Sequence, residues 1–205
     1  MVEIVYVLTN EAMPGLIKIG RTTTTVEQRM RELDTSSIPL PFICYYAAIV
    51  RNANIVERKL HDAFGDHRVR LSREFLRLDP FRAKSALELA ALEDVTPRND
   101  VVDSIEDGEA LQRATDRRGF FRFSSADIHT GAVIFFARDP SLTATVINDR
   151  EILFEGETTS LSAAALKAIR RLGYQWKTVA GPDFWLFEDE TLSERRRRLE
   201  ERIDQ

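Results

Sequence analysis

The feature that most limits what this chain can fold into is a break in its pattern. From Glu93 the sequence runs "EDVTPRNDVVDSIEDGE", polar and acidic, with no sustained apolar period. Such a stretch cannot bury enough surface to offset the entropy of ordering it, so a boundary between two folded parts is expected here. The division read from the sequence is a domain over residues 1–92, an acidic linker over 93–118 and a second domain over 119–205. A chain of 205 residues, 43% of them hydrophobic, is long enough to give each part a core.

Before the break the apolar period alternates between two residues and about 3.6. "VEIVYVL" and "LIKIG" are strands, separated by the turn residues of "TNEAMPG". Antiparallel counting that sets Leu8 opposite Leu16 sets Tyr6 opposite Lys18, with phenol and ammonium on one face of the sheet. Thr25 followed by Gln28 is a capping box for a helix through about Leu33, with Val26, Met30 and Leu33 on its apolar stripe and Arg29 at the edge of that stripe. "FICYYAAIV" is a third strand. Asn54 and Glu57 are expected to cap a second helix, with Val56, Leu60 and Phe64 facing inward and Gly65 ending it. "EFLRL" is a short extended piece closed by Asp79-Pro80, and a helix follows from Phe81 to about Leu92. The expected fold is α+β, a small three-stranded antiparallel sheet flanked by helices.

After the break, "GFFRF", "GAVIFFAR", "TATVI" and "EILFEG" are strand candidates, with Asn148-Asp149 as a hairpin turn. "SLSAAALKAIRRLG" is a capped helix closed by Gly173, "GPDFWLF" a turn and strand, and Thr191 with Glu194 opens a last helix containing Arg195 to Arg198. This half is expected to be a second small α+β domain.

Several classes of protein are disfavoured. No run approaches the about 20 apolar residues of a membrane helix, and the N-terminus lacks the basic-then-apolar pattern of a secretion signal. The lone Cys44 offers neither an internal disulfide nor a thiol cluster for structural zinc. A cytoplasmic, reducing setting without membrane contact is expected. The net charge of −4 argues against non-specific adhesion to nucleic acid. The only locally basic stretches are "HRVRLSREFLR" and the run of four arginines.

One set of residues carries chemistry: Tyr6, Lys18, Gly20, Arg29 and Glu74. Hydrolysis of a phosphodiester needs a group that takes a proton from water, positive charge around the five-coordinate phosphorus and a cation at the leaving oxygen. Tyrosine is a weak base unless nearby cations favour its phenolate, and Lys18 and Arg29 are expected to supply that field. In order and spacing, "YVLTN", "KIGRT", Arg29 in the following helix and Glu74 in "SREFL" resemble the GIY-YIG nuclease superfamily. Ile4 stands where a glycine of the first signature is expected, and Lys18 where its second tyrosine is expected. Lysine there is similar to a short-loop branch of the superfamily. The resemblance implies an endonuclease in which Tyr6 activates water, Lys18 and Arg29 hold the phosphate, and Glu74 ligates Mg²⁺ or Mn²⁺ through oxygen. Gly20 and Arg21 are assigned to the substrate, Gly20 because it lets the backbone approach.

His61 follows Glu57 by four residues, so the two can pair on one helical face, either as a structural pair or as accessories to catalysis. His67, Arg68, Arg70 and Arg73 are either phosphate grips beside Glu74 or a solvated face.

The last third of the chain, through "SLSAAALKAI", "GYQW" and "GPDFWLF", resembles RAMA, a small module found beside restriction enzymes and adenine methylases. That resemblance implies recognition of DNA, including modified bases. Tyr174, Trp176 and Trp185, with Phe184, either form a platform on which a base stacks or belong to the core. The four arginines either reach a nucleic-acid backbone or pair with Glu194, Glu200 and Glu201.

The combined expectation is a metal-dependent endonuclease acting on nucleic acid, DNA above RNA, in restriction, phage defence or mobile-element biology. A single small site cuts one strand, so cutting both takes two visits or a homodimer. The competing reading is a catalytically silent nucleic-acid-binding protein that keeps the nuclease fold.

Overall fold

All of residues 4–8 in strand β1 (Ile4–Thr9) are buried, on both sides of the strand. That pattern belongs to a central strand with packing on both faces. β1 pairs antiparallel with β2 (Leu16–Thr22) and with β3 (Ile43–Val50). Two short strands extend the sheet, β4 (Phe75–Arg77) beside β2 and β5 (Ala91–Asp94) beside β3, giving the order β4-β2-β1-β3-β5, antiparallel throughout. This computed structural model describes residues 2–35, 37–70, 74–102, 104–117 and 121–203, with the side chains of 115–117 and 203 left aside. Within it the chain divides into two compact units, Met1–Ala114 and Thr115–Gln205.

The first sheet has five strands where three were expected, and each extra strand has a local cause. "EFLRL" joins the open edge of β2. At the other edge, helix α3 does not continue to Leu92; it spans Pro80–Glu88, started by Asp79, whose side chain accepts from the Phe81 N–H at 2.9 Å. Residues after it turn back to pair with β3, because an edge strand presents unpaired N–H and C=O groups that a passing segment can satisfy. The pairing carries on past β5: Val95 N–H donates to Ala47 C=O at 2.9 Å, and Ala47 N–H donates to the buried Thr96 hydroxyl at 3.0 Å. The stretch read as a linker thus begins inside β5, places Val95 and Val101 against the first core, and ends in helix α4 (Ile105–Arg117).

Two helices precede α3. α1 (Val26–Leu33) is capped by Thr25, which accepts from Gln28 N–H at 3.2 Å, and it buries Val26 and Met30 against Ile4, Tyr6, Leu8, Phe42, Cys44 and Ala47. α2 (Ala53–Ala63) is capped by Asn52 rather than Asn54: Asn52 is extended and its side chain accepts from Ile55 N–H at 2.9 Å, whereas Asn54 already lies in the first turn. A 3-10 turn (Gly65–His67) follows α2.

The β1-β2 register differs from simple counting by two residues. Leu8 is opposite Lys18 and Tyr6 is opposite Gly20. The connection takes up the difference through two successive turns, Met13 N–H to Asn10 C=O at 2.9 Å and Leu16 N–H to Met13 C=O at 3.1 Å. A slip of two leaves every side chain on its expected face, so Tyr6, Lys18 and Gly20 still share one side.

The second unit holds a six-stranded sheet in the order β11-β10-β6-β7-β8-β9. Its strands are β6 (Val133–Phe136), β7 (Asp139–Val146), β8 (Glu151–Phe154), β9 (Glu157–Ser160), β10 (Trp185–Phe187) and β11 (Glu190–Thr191). Asn148 makes the β7-β8 turn as expected, its side-chain oxygen accepting from Arg150 and Glu151 N–H at 2.9 and 3.0 Å. "GFFRF", by contrast, forms no strand within the described residues: Phe123 starts a 3-10 turn (Phe123–Ala126), and Phe121 and Phe123 are buried side chains. Helix α5 (Leu161–Arg171), capped by Ser160, and helix α6 (Leu192–Ile203), with Glu194 N–H bound to the Thr191 hydroxyl at 3.2 Å, complete this α+β unit.

Candidate active site

The site is built where β4 meets β2. β4 pairs with β2 at residues 16–18, and just beyond that ladder Ile19 N–H donates to Glu74 C=O at 3.3 Å. Across the strand, the Tyr6 ring lies directly over Gly20. A Cβ added to Gly20 would stand 2.5 Å from Tyr6 Oη, which no real side chain tolerates, so this position needs glycine to seat the phenol. Sequence reasoning took that glycine as clearance for the substrate; the space is filled by Tyr6.

Around the phenol the expected charges do gather. Arg29 Nε, from α1, donates to Tyr6 Oη at 3.4 Å, a long contact, while its Nη1 binds Glu32 at 2.8 Å. Lys18, only 6% exposed, forms an ion pair with Glu74 and lies 5.6 Å from the centre of the Phe75 ring. Glu74, at the threshold of β4, keeps about half of its side chain in solvent. Four residues separated by up to 68 positions in sequence are thereby brought to one edge of one sheet.

The electrostatics correct one expectation. Burial pushes the Tyr6 phenol above the usual tyrosine value and outweighs the hydrogen bond and charge of Arg29; Glu74 and Glu57 add to the rise. At 1% exposure the ring is a core residue as well as a site residue, and in the free protein it keeps its proton at neutral pH. For Glu74, burial acts upward, but the hydrogen bond and charge of Lys18 win and hold the carboxyl below its ordinary range. Glu74 is therefore an anion, and the charge of Lys18 is spent on it rather than on Tyr6.

His61 does not pair with Glu57. Its Nε2 faces Ile19 C=O at 3.2 Å, which makes Nε2 the protonated nitrogen, and its Nδ1 is buried without a hydrogen-bond partner among the described residues. Burial first, then the charge of Arg68, lowers its affinity for a proton. Glu57 instead accepts from Arg21 Nε at 2.8 Å. Arg68 forms a bridge with Leu76, so the strand that follows Glu74 is flanked by the 67–70 loop, in which Arg70 is exposed. Arg73 lies outside the described residues. Glu32 was missed in the sequence although it stands three residues after Arg29, a spacing at which helical side chains meet.

No group of three or more His, Cys, Asp or Glu side chains able to hold a metal ion exists among the described residues. A caged all-protein metal site is thus not what these residues form. Mg²⁺, however, is commonly held by one or two carboxylates, several waters and the substrate's own phosphates, and a half-exposed carboxylate kept anionic suits that arrangement.

In the second unit the four aromatic residues considered for base stacking are core. Tyr174, Trp176, Phe184 and Trp185 are all buried, Trp185 completely. Trp185 packs edge-on against Phe136 and Phe154 and donates its indole N–H to Leu161 C=O at 3.0 Å, so neither ring face is offered to a base. Tyr174, Trp176 and Phe184 surround the Arg138 guanidinium at 5.0, 5.2 and 6.0 Å. The arginines of α6 are also committed. Arg195 is buried against Ala126 C=O, Glu188 and Glu190; Arg197 binds Glu194 and Glu201; Arg198 binds Glu190; Arg196 lies 5.4 Å over Phe121 and near Glu200.

No helix of the described residues is long and apolar enough to cross a membrane. No curated protein and no solved structure matches the chain. Residues 3–91, less than half of the chain, match the family model described as the T5orf172 domain, so the unit that carries Tyr6, Lys18, Arg29 and Glu74 is similar to a nucleic-acid-associated family often found fused to or near GIY-YIG nuclease domains.

Proposed function

We propose that the protein is a metal-dependent endonuclease that hydrolyses phosphodiester bonds, with DNA as its substrate class. The observation that carries the reading is the gathering of Tyr6, Lys18, Arg29 and Glu74 around Gly20, beside the end of the β2–β4 ladder. In this reading Arg29 and Lys18 hold the non-bridging oxygens of the scissile phosphate and stabilise the charge that grows there. Tyr6 first gives up its own proton to solvent as the metal binds and then, as phenolate, takes the proton of the attacking water, while Gly20 keeps the phenol seated. Mg²⁺ or Mn²⁺ held by Glu74 would supply positive charge at the leaving oxygen and would offset the Glu74 charge, which adds to the effect of burial in holding the Tyr6 proton. Selection of the substrate, including modified DNA, is assigned to the second unit, though not to its four buried rings. The setting we assign is a cytoplasmic one, in restriction or phage defence, with two copies or two visits needed to cut both strands.

A second reading rests on a specific observation: Tyr6 is buried and holds its proton, and Lys18 and Glu74 neutralise each other. A catalytically silent protein that binds nucleic acid through the same fold has those properties too. The discriminating experiment incubates the full chain with plasmid, modified and unmodified duplex, single-stranded DNA and RNA, with Mg²⁺, with Mn²⁺ and with chelator. Metal-dependent products support the nuclease; binding without products under every metal condition supports the silent reading.

A further inference from the structure

Arg21 and Glu57 stand beside the residues of the proposed reaction without having a part in it. Their geometry is lopsided. The Glu57 side chain is 16% exposed and the Arg21 side chain 45%, with Arg21 Nε donating to Glu57 Oε2 at 2.8 Å. The acid is thus rooted inside, on the face of α2, and the guanidinium is held from behind by its Nε alone. Its two terminal nitrogens have no hydrogen-bond partner among the described residues, and nearly half of the side chain is open to solvent. Those two nitrogens form the flat fork that matches two oxygens of a phosphate.

The other cations of this edge are differently placed. Lys18 is engaged by Glu74, and Arg29 by Tyr6 and Glu32. The inner side of α2 also grips β2 a second time, since His61, one turn after Glu57, faces Ile19 C=O. The backbone on one side of Arg21 and its side chain are therefore both fixed by the same helix. Side chains alternate along a strand, so Arg21 leaves β2 on the face opposite Lys18 and Gly20. A phosphate taken by Arg21 is consequently a flanking one rather than the one at Tyr6.

Resting on the nuclease reading, we propose that Glu57 is a positioning residue that pre-sets Arg21 to grip a flanking phosphate of the nucleic-acid backbone. A guanidinium held in advance loses less side-chain freedom on binding than one that must be ordered by the substrate. The proposal has a sign that simple charge does not share. Glu57 is an acid beside a polyanion, so an acid with no positioning role would weaken binding, and removing it would tighten binding.

The test measures binding of the full-length protein, without divalent metal, to a short DNA duplex and its single strand over a series of salt concentrations. Arg21→Ala should weaken binding about tenfold and lower the salt slope by about 0.9, the loss of one phosphate contact. Glu57→Gln should weaken binding several-fold, and Glu57→Asp less. In an Arg21→Ala background Glu57→Gln should weaken it no further, because the two act as one unit. Thermal melting of each variant accompanies the titrations, and binding is compared at a temperature where all are folded. If the wild type binds and Glu57→Gln binds equally or more tightly, the positioning role is wrong while the nuclease reading stands. If the wild type binds no nucleic acid, the nuclease reading falls and this proposal with it.

Discussion

The two units treat their charged and aromatic residues in opposite ways. In the first, Tyr6, Lys18, Arg29 and Glu74 come from two strands, a helix and a loop, and they meet at one sheet edge. In the second, four consecutive arginines on α6 diverge around the helix, and each finds an acid of its own unit or an aromatic ring. Tyr174, Trp176, Phe184 and Trp185 likewise sink into the core. The contrast teaches that a contiguous run of charge on a helix points in all directions and is usually neutralised locally. A site is more often made of dispersed residues that the topology brings together.

The strongest way to break this comparison is at Glu74. Glu74→Gln should abolish metal-dependent cleavage and leave nucleic-acid binding largely intact, since it removes an anionic ligand at nearly constant volume. Arg197→Ala, which removes the partner of Glu194 and Glu201 on α6, should leave cleavage unchanged. Equal cleavage by wild type and Glu74→Gln would remove the metal assignment.

Next come Arg29 and Tyr6. Arg29→Ala and Tyr6→Phe should each slow turnover about a hundredfold, the usual scale for losing a charge stabiliser or a proton acceptor. Phenylalanine fits over Gly20 as tyrosine does, so the melting temperature of Tyr6→Phe should stay close to that of wild type. Single-turnover rates and melting curves read the two effects separately. A large loss of stability with unchanged turnover would make Tyr6 a core residue only.

The second unit responds through stability. Trp185→Ala should cost about 3–5 kcal/mol, because it empties the space between Phe136 and Phe154 and leaves Leu161 C=O without its donor. If chemical denaturation shows a loss below about 1 kcal/mol, the ring is not the core element described, and a base-stacking role returns.

The smallest effect is with pH. His61 resists protonation in the folded protein, so below the ordinary histidine value of about 6.5 the unfolded chain takes up a proton that the folded one refuses. Its stability contribution is full above that value and falls as the pH drops through it. Glu74, held low by Lys18, adds a second loss at more acidic pH, as the carboxylate is protonated on the way down through its folded value. Melting temperatures should decline on acidification, with the first step reduced in His61→Gln. An identical decline in both proteins would place the titration elsewhere.

Much of the first unit was legible in its sequence, because its signals are local. Period-two runs marked β1, β2 and β3, Thr25 with Gln28 marked α1, and the order of Tyr6, Lys18, Gly20, Arg29 and Glu74 marked one constellation. The placement of Asn148, Ser160 and Thr191 at a turn and two helix starts was equally local. Side-chain faces along a strand depend only on parity, so Tyr6 and Lys18 shared a face in the sequence reading even though the register was two residues off.

What the tertiary structure alone decided are the matters of partner and burial. Residues 91–94 could form a helix end or an edge strand, and the free edge of β3 settled it. Glu57 could reach His61 or Arg21, and the nearness of β2 gave it Arg21. Lys18 and Arg29 could have lowered the Tyr6 pKa, but Glu74 took Lys18 and burial outweighed Arg29. Each of these turns on distances between groups far apart in the chain and on how much water remains around them, and a linear pattern carries neither quantity.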